Sequence, residues 1–274
     1  MATNAPHDAR GGAARSRAVR STSAGGGRGR SGQPMVSVII PSTRPDHLRA
    51  ALGSVEAQSW DGPCEVVVFL DGVAGTAVPD LTAPLSLTVS GSAARIGPSA
   101  ARNRAVAEAR GDILAFLDDD DLWLPGHLQQ TVPTVLAAGG LVFTDVLVQQ
   151  LDEGWGRALI IPFRPELLRR TNPVVLSSLV MTRAAFSALN GFSEDLPRYE
   201  DWDLLLRAAA LALPLSRVPG VSVRYRFSIR SSSADVAEMA AMFTRLAERH
   251  RLGDLPVTNF ARMAREGLPE TGGV

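Results

Sequence analysis

The chain contains no lysine: its 28 basic residues are all arginine, and 28 aspartates and glutamates balance them to a formal net charge of zero. Without an excess of positive charge there is no global field to recruit nucleic acid, and the uniform use of arginine lowers the weight that any one arginine carries. A single cysteine, Cys64, excludes an internal disulfide framework and fits a reducing compartment, so a cytoplasmic setting is expected. No apolar run reaches the roughly 18 residues needed to span a bilayer. No transmembrane segment is therefore expected, while peripheral contact with a membrane stays open. Residues 1–33 are rich in Gly, Ala, Ser and Arg. They lack the apolar h-region of a secretory signal and the apolar stripe of a transit peptide, and they read as a disordered tail.

Beyond the tail about 240 residues remain, within reach of one α/β domain. The expected division is a domain over 34–252, with halves 34–121 and 122–252, followed by a tail at 253–274. Val36–Ile40 (VSVII) reads as a buried strand, and Leu48, Ala51, Leu52 and Val55 then recur at helical spacing. Glu65–Leu70 is a second buried strand and Leu85–Val89 a third. A Gly-Pro turn opens an alanine-rich helix that stops at Gly111. Three strands with a polar group at each exit, alternating with helices, form the grammar of a Rossmann-like, mostly parallel sheet. Further on, Pro125 opens a helix that Gly139 and Gly140 end. Strands are expected at Leu141–Val148, Ala158–Ile161, Val174–Met181 and Val221–Phe227, with a late helix over Asp235–Arg249. The stretch from Gly253 has too little periodicity to place, and no internal repeat is visible.

The segment Gly111–Pro125, GDILAFLDDDDLWLP, runs an apolar strand into four consecutive aspartates. Ligands gather outside the carboxyl ends of parallel strands. Four adjacent carboxylates repel one another, and a hard divalent cation with oxygen ligands relieves that repulsion while leaving positions for substrate phosphates. A solvated acidic turn before the next helix is the plain alternative. No Cys or His cluster argues for zinc. His127 reads as a first-turn helix residue rather than a ligand.

Four blocks in order, VSVIIPSTRPDHLRAALGSVEAQSW, EVVVFLDG, GPSAARNRAVAEARGDILAFLDDDDLWLP and GFSEDLPRYEDWDLLLRA, resemble family 2 glycosyltransferases. The likeness runs from Val36 to about Ser232. It implies the GT-A fold, with a smaller mixed acceptor-side region, and transfer of a sugar from a nucleotide-diphosphate donor to an unidentified acceptor hydroxyl with inversion. A UDP-sugar is the expected donor. By the same resemblance Pro41 with Ser42 or Thr43, Asp71, Arg102, Asn103, Asp118 and Asp119 contact the nucleotide sugar, with Arg95 a neighbour. Asp118 and Asp120 match the metal-binding DxD pair, with Mg2+ or Mn2+ as cofactor and Asp121 following. Glu200 and Asp201 match the ED element, Asp201 as general base. Where family members carry a second aspartate this chain has Leu70 before Asp71, which leaves bases other than uracil open.

Each of these residues also has a plainer role open to it. Asn103 can bond loop backbone, and Glu200, Asp201 and Asp203 suit the first turn of a helix through its dipole. Trp123 and Trp202 can stack on a sugar or pack in the core. Asp145, Asn172, Ser177 and Ser178 are the polar candidates for acceptor contact. Two other classes are weighed. A nucleotidyltransferase is expected to have a glycine-rich phosphate loop with a basic residue after the first strand, which PSTRP does not offer. A sugar-nucleotide-binding protein without turnover is expected to lose the ED acid, and Asp201 is present.

Overall fold

In the computed structural model, which describes residues 19–20, 32–82, 84–228, 236–255 and 259–267, the central strands are apolar on both faces. Along β2 (Val36–Ser42), Val36, Val38 and Ile40 enter one core and Ile39 the other. The same split divides Val66, Val68 and Leu70 from Val67 and Phe69 on β3 (Cys64–Asp71), and Ile113 and Ala115 from Leu114 and Phe116 on β5 (Ile113–Phe116). Strands of this kind must be covered by helices on both sides. On one side lie α1 (Pro45–Glu56), α3 (His127–Ala138) and α7 (Phe260–Glu266). On the other lie α2 (Pro98–Glu108), α4 (Arg183–Ala188), α5 (Glu200–Ala210) and α6 (Val236–His250).

The remaining strands are β1 (Val19–Arg20), β4 (Ser86–Ser92), β6 (Leu122–Trp123), β7 (Leu141–Gln150), β8 (Trp155–Leu159), β9 (Val180–Thr182) and β10 (Leu215–Phe227). They join one sheet in the order β1-β4-β3-β2-β5-β9-β7-β10-β6, with β8 beside β7. Pairing is parallel from β4 through β3 and β2 to β5, and antiparallel where β9 meets β5 and β7. These parallel strands therefore end together at one edge, next to the mixed region. Among the described residues no helix is long and apolar enough to cross a membrane.

Several elements differ from the sequence expectation. Val174–Met181, read as a strand, is mostly a 3-10 turn at Leu176–Ser178, and only Val180–Thr182 pairs. Its apolar residues are buried all round, so composition alone could not separate the two; the Ser178 hydroxyl donates to the Val175 carbonyl at 2.7 Å and closes the turn. The parallel pair β3 and β4 is joined by a loop rather than a helix. Helix α7 occupies residues for which periodicity was too weak to assign anything. Of the expected tails, 1–18, 21–31, 256–258 and 268–274 lie outside the described residues, as does Asp235 of the late helix. Val19–Arg20 pairs antiparallel with β4, an edge contact that tail composition did not announce.

The turn from α3 into β7 brings two adjacent glycines into opposite situations. Gly139 caps α3 at φ +71° with open space around it, whereas a Cβ on Gly140 would lie 2.1 Å from the Pro214 carbonyl oxygen. Gly140→Ala is expected to cost about 2–3 kcal/mol through overpacking against backbone, and Gly139→Ala about 1–2 kcal/mol through the left-handed conformation alone. Denaturant midpoints of the two variants check this order.

Candidate active site

The carboxyl ends of β2, β3 and β5 deliver Ser42, Asp71 and the run Asp118–Asp121 to one edge of the sheet. Asp71 is buried, and its carboxylate accepts the backbone N–H groups of Ile96 at 2.6 Å and Gly97 at 3.1 Å. It thereby shapes the turn that opens α2. Pro41 and Thr43 are half-buried on either side of buried Ser42.

The four aspartates meet four different environments. Asp118 accepts from Arg102 Nη2 at 2.6 Å. Asp119 is buried, accepts the Ser42 hydroxyl at 2.7 Å and pairs with Arg44 at 3.2 Å. Asp120 pairs with the same guanidinium; burial and the charges of Asp118 and Asp119 push its carboxyl up, and Arg44 partly offsets this. Asp121 is fully buried, accepting the Ser177 hydroxyl at 2.5 Å and the Arg226 N–H at 2.9 Å. Burial, then Asp120 and Asp118, hold its carboxyl well above the usual range. It serves as an internal anchor for the loop.

The family resemblance pairs Asp118 with Asp120 as metal ligands. The structure turns the Asp118 carboxylate to Arg102, and the donors that come together are one each from His47, Asp119 and Asp120, all within 4.8 Å of one another. His47 lies on the first turn of α1, and its buried Nδ1 has no hydrogen-bond partner among the described residues. Two carboxylates and this imidazole nitrogen fit a divalent cation. Alongside is a cavity of about 440 Å³ whose wall includes Arg44, His47, Asp120, Leu151 and Arg226. His47 and Arg226 belong to no fixed pattern, whereas Arg44 lies within the PSTRP turn; the one available signal for His47 was its place two residues after that turn.

Arg102 is 5% exposed and spans two parts of the site. Nη2 holds Asp118, Nη1 donates to Glu200 at 2.7 Å, and the guanidinium lies 5.6 Å over the Phe192 ring. Beside Glu200, the half-buried Asp201 accepts the Trp202 N–H at 2.7 Å and the Asn172 side-chain amide at 2.8 Å. Burial, and after it the Glu200 charge, push the Asp201 carboxyl up to about 7. The phenol of Tyr225 lies in the field of Asp121, Asp120, Asp118 and Asp201; burial first and these charges next raise it well above its ordinary value.

Other sequence candidates hold structure. Asn103 spends both ends of its amide on the loop after α4, donating to the Phe192 carbonyl at 2.9 Å and accepting the Phe192 N–H at 2.9 Å. Asp203 is fully buried on α5, where His250, Ser193 and Arg207 more than offset the effect of burial and hold its carboxyl below the usual range. Asp145 pairs with Arg217 at 2.6 Å and accepts the Gly220 N–H at the irregular part of β10. The indoles of Trp123 and Trp202 are buried and donate to the Ser177 and Leu168 carbonyls, each at 2.7 Å. His127 stacks on Trp123 at 4.5 Å, and burial pushes it down to about 3, so it is neutral.

The family model described as Glycosyl transferase family 2 matches residues 37–191. The uncharacterized glycosyltransferase YwdF of Bacillus subtilis is 32% identical over 84% of this chain and 88% of its own length. Among solved structures, S. aureus TarS 1-349 in complex with UDP superposes with a TM-score of 0.56 at 19% identity, covering 80% of this chain and 66% of that one. The Pyrobaculum calidifontis mannosyltransferase PcManGT in complex with GDP-Man and Mn2+ gives 0.57 at 22% identity, over 86% of this chain and 68% of that one. At these identities the two structures speak to fold, which is GT-A.

The raised Asp201 carboxyl makes stability depend on pH. Between about pH 4 and 7 the folded state holds a proton on Asp201 that the unfolded chain releases, so wild-type stability falls as pH rises through this window. Asp201→Asn removes that titration. The variant is expected to gain stability over wild type as pH rises from 4 to 7, by about 2 kcal/mol after discounting for solvent access, and to gain no more above 7. Urea unfolding across this range measures it.

Proposed function

The chain belongs to glycosyltransferase family 2, and on that premise we propose that it moves a sugar from a nucleotide diphosphate, a UDP-sugar as first expectation, to an acceptor hydroxyl with inversion. The observation that carries this reading is the Arg102 bridge, which pairs with Asp118 at 2.6 Å and Glu200 at 2.7 Å. It sets the aspartate loop and the ED-bearing helix α5 around one space, where a donor on the first side faces an acceptor on the second.

The residues that would hold a divalent ion are Asp120, Asp119 and His47, with Asp118 steered by Arg102 toward the donor. A bound ion neutralises charge that builds on the leaving diphosphate. Arg44, whose side chain is 47% exposed, balances Asp119 and Asp120 until then and is free to swing outward. Ser42, Thr43 and Pro41 line the approach of the nucleotide, and Asp71 supports it by fixing the Ile96–Gly97 turn. The acceptor oxygen attacks the anomeric carbon as the bond to the diphosphate oxygen breaks, and the acceptor proton passes to Asp201. One displacement on the face opposite the leaving group inverts the anomeric centre. A carboxyl near 7 suits a base working at neutral pH, since it accepts a proton readily yet remains substantially ionised.

Asp201→Asn is expected to keep donor affinity while transfer or donor hydrolysis falls by about 10² to 10⁴, and wild-type turnover should decline as pH drops below 7. Undiminished turnover in Asp201→Asn would remove the base assignment. Titration calorimetry with UDP and GDP should show binding that needs Mn2+ or Mg2+ and is abolished by chelation. At 100 times its dissociation constant the nucleotide–metal pair adds about 2.7 kcal/mol of stability, a gain Asp120→Ala should lose. Chelator-insensitive binding in that variant would exclude the metal site.

A further inference from the structure

Asn172 stands on the loop before the Leu176–Ser178 turn and is 9% exposed. Its Oδ1 accepts the Val174 N–H at 3.0 Å. A backbone N–H can meet only an acceptor, which identifies the oxygen end of this amide and turns its nitrogen the other way. That nitrogen donates to Asp201 Oδ2 at 2.8 Å, while the Trp202 N–H occupies Asp201 Oδ1 at 2.7 Å. The carboxylate is thus held at both oxygens by groups whose own orientation is fixed, and each oxygen keeps a lone pair for an incoming hydroxyl.

We propose that Asn172 is a positioning residue for Asp201: its amide, locked by the Val174 N–H, fixes the carboxylate rotamer and favours the ionised form. The inference rests on the reading of Asp201 as general base. Asp201 is faced by Glu200 on α5, Asp118 at the end of β5, Arg102 on α2, Tyr199 before α5 and Tyr225 on β10. Two of these are acids, one is a cation and two are phenols, so a neutral donor that supports the carboxylate without cancelling its charge keeps it basic. A second arginine in this place would hold the carboxylate ionised but too weakly basic to take a proton.

The same side chain also closes an Asx turn across Pro173, which has no N–H to offer. The substitution that separates the two roles is Asn172→Ser, whose hydroxyl can still accept from the Val174 N–H but is too short to reach Asp201. The test follows the 13C signal of the Asp201 carboxyl through a pH titration, assigned by its absence in Asp201→Asn. In Asn172→Ser the midpoint is expected to rise by about one to two pH units, the loss of one charge-assisted hydrogen bond, with the Asp203 signal unmoved. The low-pH limb of donor turnover should move upward by the same amount. A midpoint unchanged from wild type overturns the proposal. Should the serine variant fail to fold, Asn172→Asp keeps the shape and the acceptor for Val174 while removing the donor and adding a like charge. Both effects push Asp201 up, so an unmoved midpoint there also overturns it. Failure of the base assignment itself is read separately, in the turnover of Asp201→Asn.

Discussion

The structure depends on one buried cation. A guanidinium cannot leave water without paired carboxylates to receive it, and Arg102 finds two that are far apart in the chain, Asp118 and Glu200. The pairing places α2, the loop after β5 and the start of α5 in fixed relation. Breaking it by removing one partner leaves a charge unbalanced in a dry place, which is why such a bridge specifies geometry more than it adds net stability. Asn103, one residue on, stitches the same helix to the Gly191–Glu194 loop. Two neighbouring side chains of α2 thereby carry the approach to α5.

Around this bridge, residues of one chemical type are given different properties by their surroundings. Asp118 and Asp119 are neutralised by arginines, Asp120 faces the cavity, and Asp121 is sealed in with a hydroxyl and a backbone N–H. On α5, Glu200 is tied to Arg102, Asp201 is raised by burial and by Glu200, and Asp203 is lowered by His250, Ser193 and Arg207. Three acids within four positions are thus a bridge, a carboxyl raised toward neutrality and a strut. The strut also joins α5 to α6, since Arg249 and His250 at the end of α6 both reach Asp203.

The site is held in a state the local chain would not choose. Tyr199, directly before Glu200, has φ +60°, a left-handed conformation costly for a bulky residue. Its ring is wedged between Trp202 and Phe243, and its buried hydroxyl lacks a partner among the described residues. Two positions on, burial pushes the Asp201 carboxyl up, so a strained backbone and a perturbed carboxyl lie side by side. Packing by α6 and the Asp203 network over-determines this turn and keeps it in place.

Much of this protein is determined by its sequence alone. The doubly apolar strands, the helical spacing of Leu48, Ala51, Leu52 and Val55, and the polar residues at the strand exits specify the parallel half of the sheet, because periodicity and burial are local properties. The DDDD run and the ED pair were likewise legible as blocks in order. What only the tertiary structure decided is how those acids are used. Asp118 turns to Arg102, His47 joins Asp119 and Asp120, Asn172 meets Asp201, and Leu176–Ser178 becomes a turn rather than part of a strand. Each of these is a contact across many positions of the chain or a choice between two buried conformations. The cost of burying a charge or an amide is set by the partners that folding brings to it, and no local pattern records them.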